Sequence, residues 1–231
     1  MSLVAELESV WSRVSSRPVL LSRRWVRQAR LSRLVNTDVL PLAQMKPLGS
    51  PRRINDCAEC LDTCCVGKKS TVLLHLRDIA CLLEDGRDSL ITQEKPTFSQ
   101  EEKSLSPALE RHVSSVAWRV FPILKQNSFY ACSALSDEGR CTLHPRWPLS
   151  CERFPVALNL DAEAFFLSKR CGSTRVIETN KEDERLEEME AGALAAYNER
   201  IKDFMLLTHA TDTLRNLGIT KYLNLDAWPL R

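Results

Sequence analysis

Leu3, Leu7, Val10, Trp11 and Val14 recur at three- and four-residue steps, which predicts an amphipathic helix ended by Pro18. A second helix is expected from Leu20 to about Val35, with Arg23, Arg27 and Arg30 along one side. Pro41, Pro47 and Pro51 then mark an extended linker, because proline disfavours helical geometry in the residue before it. Thr71–Leu76 reads as a strand, and Asp78 as the cap of a short helix, Ile79–Glu84, stopped near Gly86. Ser106-Pro107 opens a helix with Leu109, Val113, Val116, Ala117 and Val120 on its apolar face, broken by Pro122. Val156–Leu160 and Ala164–Leu167 flank Asp161-Ala162-Glu163, the pattern of a small hairpin. Leu186, Met189, Ala193, Tyr197, Ile201, Phe204 and Thr208 then define a long helix, with Glu182, Asp183 and Glu184 suited to its first turn. Gly218 has the place of a residue just past a helix end.

These elements predict an α+β protein: a small, irregular, cysteine-rich, metal-bound core with a short β-hairpin, flanked by N- and C-terminal helices. Charge divides the chain in the same way. Residues 1–53, a basic helical segment with its linker, carry a net +7; the middle segment, 54–176, carries −1; the acidic helical segment 177–231 carries −4. No internal repeat or low-complexity tract is present.

At 231 residues the chain is long enough to bury a core without disulfide support. Its 44% apolar and 27% charged composition excludes wholesale disorder. No apolar run approaches the roughly 20 residues of a membrane-spanning helix. The seven glycines are scattered and form neither a dinucleotide-binding nor a serine-hydrolase motif. Gly67-Lys68-Lys69-Ser70 ends like a phosphate loop, but Asp62 stands where its earlier glycine belongs. The start is broken by Glu6 and Glu8 and has no basic region, so no secretory signal is expected and the expected compartment is the cytoplasm.

The nine cysteines, all between Cys57 and Cys171, are the abnormal feature. In a reducing compartment clustered thiols bind metal more often than they pair, and an odd number suits a disulfide framework badly. Cys57-Ala-Glu-Cys60-Leu-Asp-Thr-Cys64-Cys65 places four thiols in nine residues. Its Cys-x2-Cys turn lets two thiolates meet one ion while backbone amides point at the sulfurs. Cys64 and Cys65 serve either one polynuclear centre or two centres. Cys132, Cys141, Cys151 and Cys171 are too loosely spaced for a zinc knuckle but are candidate loop-borne ligands. Cys81, in Ile79-Ala-Cys-Leu-Leu83, reads as a small apolar core residue.

In order and spacing, Cys57-x2-Cys60-x3-Cys64-Cys65, Asp78 in a Leu-x-Asp-Ile helix start, Cys132-x2-Leu135, Gly139-Arg140-Cys141, Pro148-x2-Cys151 and Phe154-Pro155 resemble the YkgJ-type cysteine-cluster family. The resemblance covers roughly residues 55–175, with Cys171 as its looser trailing cysteine. It implies a zinc- or iron-chelating domain, and a link to protein lysine methylation in larger members. The chain departs from the family pattern around Cys141 and Cys151, where His144, Trp147 and Glu152 stand and the arginines are displaced by one, as Arg146 and Arg153.

Thiolate-only ligation selects zinc, copper(I) or iron–sulfur clusters. Three close cysteines and one distant one suit a cubane, so an iron–sulfur cluster stands ahead of zinc. Three functions follow. In the first the centre mainly organises the domain. In the second it serves a redox or protein-modifying enzyme, with His144, Glu152 and Asp137 the nearest acid–base groups. In the third, zinc orders a nucleic-acid or partner-binding module whose seven arginines between Arg13 and Arg33 meet phosphates. The terminal helices are candidates for a protein partner or for self-association.

Overall fold

The computed structural model describes residues 2–15, 65–66, 72–93, 117–159, 164–167 and 184–228. The expected second helix, the proline linker and the Ser106-Pro107 helix start lie outside them, as do Cys57, Cys60, Cys64 and Cys171.

The described residues form a mixed helical and antiparallel fold. Helix α1 spans Leu3–Ser15 and buries Leu7, Val10 and Val14, three positions of the predicted stripe. Helix α2 spans Leu76–Glu84, three residues longer at its start than predicted. Its N-cap is His75, not Asp78; Asp78 sits in the first turn and accepts a hydrogen bond from the His75 N–H at 2.9 Å. The expected strand before it contributes a single bridge, Leu73 to Ile123.

Two strands of two residues, β1 (Ile91–Thr92) and β2 (Ile123–Leu124), pair antiparallel, Ile91 with Leu124 and Thr92 with Ile123. Between them the short helix α3, Ala117–Val120, ends just before Pro122, as the sequence requires. Helix α4 is one turn, Leu149–Glu152. The predicted hairpin is present as β3 (Val156–Asn159) and β4 (Ala164–Leu167), Val156 opposite Leu167.

Helix α5, Glu184–His209, follows the predicted long stripe, and α6, Thr211–Asn216, continues beyond a break at Ala210. Past Leu217, Gly218 takes φ +74°, a left-handed conformation that costs glycine nothing, and its N–H bonds the Arg215 carbonyl at 3.0 Å.

One core joins the chain ends to the middle. Residues of α1, α2, β2, the second half of α5 and the C-terminal turns pack together, with Leu74, Ile79, Leu207 and Leu214 fully buried. Phe204 is its aromatic centre, edge-on to Phe121 and stacked on Trp228, each with centroids 5.9 Å apart. A smaller cluster, Val156, Phe165, Ala193 and Leu194, seats the hairpin on the first half of α5. The terminal helices thus spend their apolar stripes within the chain. Lys202 of α5 reaches Glu8 of α1 at 3.3 Å, and the Val4 N–H donates to Glu84 of α2 at 3.1 Å. No helix among the described residues is long and apolar enough to cross a membrane.

Because Leu207 has no exposed surface, Leu207→Ala should lower stability by roughly 2–5 kcal/mol through lost burial and the cavity left behind. Urea unfolding of the two proteins measures it, and a difference under about 1 kcal/mol would refute this placement of the core.

Candidate metal centre

Four of the predicted ligands can be located: Cys65, Cys132, Cys141 and Cys151. Cys132, Cys141 and Cys151 are free thiols, as is Cys81. The backbone builds their surroundings from three separate stretches. Gln126 and Cys132 bridge across a tight loop, and the Cys132 N–H bonds the Cys65 carbonyl at 2.9 Å, drawing the Cys65 segment alongside. Leu135 and Cys141 bridge next, closed by a turn in which the Gly139 N–H meets the Ser136 carbonyl at 3.0 Å. Gly139 has φ +77°, which a side chain would strain. Cys151 comes from α4, with its N–H on the Pro148 carbonyl at 2.8 Å.

The α4 turn is held from two sides. The Leu149 N–H donates to Asp78 Oδ1 at 3.1 Å, and the Ser150 hydroxyl donates to the Leu73 carbonyl at 2.7 Å. Asp78 is buried, and its other oxygen takes the His75 N–H, so one carboxylate ties the start of α2 to the start of α4.

The buried thiols influence one another's ionisation. Burial pushes the Cys151 thiol well above its ordinary value, and negative charge on Cys132, Cys65, Asp78 and Cys141 adds to the push. Burial also raises Cys132, with Cys65 and Cys141 adding, while the Ala134 N–H donates to its sulfur and pulls the other way. An amide aimed at sulfur two residues back is the local geometry of thiolate turns at metal sites. Among the described residues, no three His, Cys, Asp or Glu side chains close around a point at ligand distance. The donor set fits a soft or borderline cation: cysteines within electrostatic reach of one another, a buried carboxylate nearby and an N–H···S turn.

Cys81 departs from its predicted role. It is half-buried on α2 rather than in the apolar core, against the Arg146 guanidinium. The charges acting on it are those of Arg146, Asp78 and Arg77, and no other cysteine is among them. Arg146 itself pairs with Glu84 at 2.7 Å and Asp85 at 2.6 Å, at the end of α2. Arg153 turns inward and donates to the Val156 carbonyl at 3.2 Å. The two displaced arginines thus brace the frame around the cysteines.

His144, Asp137 and Glu152 are exposed, and no hydrogen bond joins one to another; the His144 ring packs edge-on to Trp147 at 5.0 Å. The buried acid–base pair lies elsewhere. His75 Nδ1 is 2.9 Å from Asp203 Oδ2, and Asp203 Oδ1 accepts the Leu76 N–H at 3.0 Å. Arg200 Nη1 stands 3.3 Å from Asp203, a charge contact without aligned hydrogen-bond geometry, and its guanidinium lies 4.6 Å over the Phe121 ring. Burial lifts Asp203 to about 7 against the pull of Arg200, while burial and Arg200 hold His75 well below its ordinary value. The sequence carries a signal for this network. Ala193, Ala196, Arg200, Asp203 and Leu207 form a stripe at helical spacing, and two opposite charges interrupt it.

No protein-family model, curated protein or solved structure matches the chain.

Proposed function

We propose that this protein is a cysteine-cluster metalloprotein of the YkgJ type, whose thiolates bind an iron–sulfur cluster or zinc and whose centre mainly organises the middle of the chain. One observation carries the reading: a backbone hydrogen bond draws Cys65 alongside Cys132, two bridges shape the loops of Cys132 and Cys141, and the Asp78 tether fixes the turn of Cys151, so that four cysteines from distant stretches of sequence act on one another electrostatically. Thiols placed this way are better explained by a shared cation than by chance burial, since ionising any one opposes ionising the rest. Cys57, Cys60, Cys64 and Cys171 complete the proposed ligand set. When bound, the metal supplies a positive centre that keeps these thiols ionised. The chain's own residues supply the amide at Cys132, the tether at Cys151 and the charge of Arg153, on which Cys151 acts.

An organising role is favoured over catalysis because the only buried acid–base pair among the described residues, His75 with Asp203, is engaged in joining α2 to α5. Anaerobic purification followed by elemental analysis and a visible spectrum tests the reading. Iron with sulfide and broad visible absorption is the expected result; colourless protein with stoichiometric zinc reverses the choice of metal; a folded protein with neither overturns the proposal. Cys60→Ser should lose bound metal and soluble yield together, whereas Cys81→Ala should keep the full metal complement. Unchanged stoichiometry in the first, or loss in the second, contradicts the ligand assignment.

A further inference from the structure

Resting on the metal-thiolate reading, we propose that Asp78 is a positioning residue for the Cys151 ligand: its buried carboxylate fixes the α4 turn so that the thiol faces the other cysteines. The argument is geometric. Asp78 has two oxygens and gives each to a backbone N–H, Oδ2 to His75 at 2.9 Å and Oδ1 to Leu149 at 3.1 Å. Leu149 lies two residues before Cys151 and opens a helix of only four residues, too short to hold its own direction. The tether spans 71 residues of sequence, from a helix anchored in the main core by the fully buried Ile79 and Ala80. Ser150 adds the second point of attachment through Leu73. A turn fixed at two consecutive residues cannot rotate about its own axis, so the direction of the next side chain is set.

Asp203 provides the contrast. It too is buried and binds the start of α2, through Leu76 and His75, whereas the α4 N–H of Leu149 is taken by Asp78.

The test compares anaerobically purified wild-type protein with Asp78→Ala and Asp203→Ala. Metal per chain is measured by elemental analysis, and iodoacetamide labelling of each cysteine by peptide mass under native conditions. Losing a hydrogen bond to a buried charge weakens the α4 attachment enough to raise Cys151 labelling in Asp78→Ala at least about tenfold. Metal per chain falls with it. Asp203→Ala, of comparable thermal stability, should leave Cys151 labelling within about twofold of wild type. If Asp78→Ala does not fold, Asp78→Asn, whose amide can accept only one of the two N–H bonds, is read the same way. Unchanged Cys151 labelling and metal content in the folded Asp78 variant overturn this proposal alone. Equal exposure of Cys151 in Asp203→Ala overturns it too, since that marks general loosening. Wild-type protein without metal overturns the metal reading and this proposal together.

Discussion

On the proposed metal-thiolate reading, a strong chelator at neutral pH should cost the protein more than about 5 kcal/mol of stability, the largest effect expected of any treatment here. Structural thiolate sites contribute on the order of 10 kcal/mol to the fold they hold, because the ligand geometry does not exist in the unfolded chain. The middle of this chain has little to replace that contribution. Between Lys125 and Pro148 the backbone is ordered by one-residue bridges and turns, and only Ala134 and Leu143 place buried apolar side chains in the main core there. Burial already holds the Cys132 and Cys151 thiols above their ordinary values, so without a cation they stay protonated and hold nothing together. The helical core of α1, α2, α5 and α6 should survive better, since its contacts are apolar. The expected signature is uneven: new protease cleavage between residues 126 and 156, with a smaller loss of helical signal. Limited proteolysis and circular dichroism with and without chelator measure it. An unchanged cleavage pattern in verifiably metal-free protein would sink the organising role.

The second large effect lies in the His75–Asp203 pair. Asp203→Ala removes the acceptor for Leu76 and His75 and leaves Arg200 mostly buried without its counter-ion. Removing one member of such a buried network costs roughly 3–5 kcal/mol. The pH dependence is more distinctive. In the unfolded chain at pH 5 the histidine carries a proton and the aspartate does not. In the folded chain the pair also holds one proton, because Asp203 titrates near 7 and His75 resists protonation. Both states bind one proton, so the pair contributes no slope between about pH 4 and 6.5.

Each single substitution uncovers a slope of opposite sign. With Asp203→Asn, only the unfolded state protonates His75 as the pH drops below about 6.5, so stability falls on acidification. With His75→Asn, Asp203 keeps its proton in the folded state up to about 7 while the unfolded chain loses it near 4, so stability falls as pH rises across that window. Each slope approaches 1.4 kcal/mol per pH unit. Arg200 faces both groups, and Arg153, Arg77 and Lys202 lie within electrostatic reach of one or the other; these charges persist across the window, while Asp78, which faces His75 and whose carboxyl burial raises, is common to both variants and drops out of the difference between their slopes. Denaturant midpoints from pH 4 to 7.5 measure this, and parallel curves for both variants would contradict the shared proton.

Local pattern carried the helices and the hairpin. The stripe Leu7, Val10 and Val14, the long repeat through Phe204 and the strands around Asp161-Ala162-Glu163 all depend on neighbours within a few residues. The same holds for Pro122 ending α3 and Gly218 following α6, where backbone sterics act on one residue at a time. The role of Asp78 was misread because a first-turn carboxylate and an N-cap carboxylate look alike until the partner N–H is known.

The identity of the candidate ligands was also legible, since cysteine chemistry and spacing are properties of the chain. Their gathering was not. Cys65, Cys132, Cys141 and Cys151 come together through one backbone hydrogen bond, two bridges and a carboxylate tether across 71 residues. Cys81 shows the converse: its apolar neighbours in sequence suggested a core position, yet in space it faces an arginine from a distant turn. Sequence by itself determined which residues can form helices and which thiols are candidate ligands. Tertiary structure alone decided which thiols act on one another electrostatically and which charges are buried together, because burial and Coulomb interactions depend on distance in space.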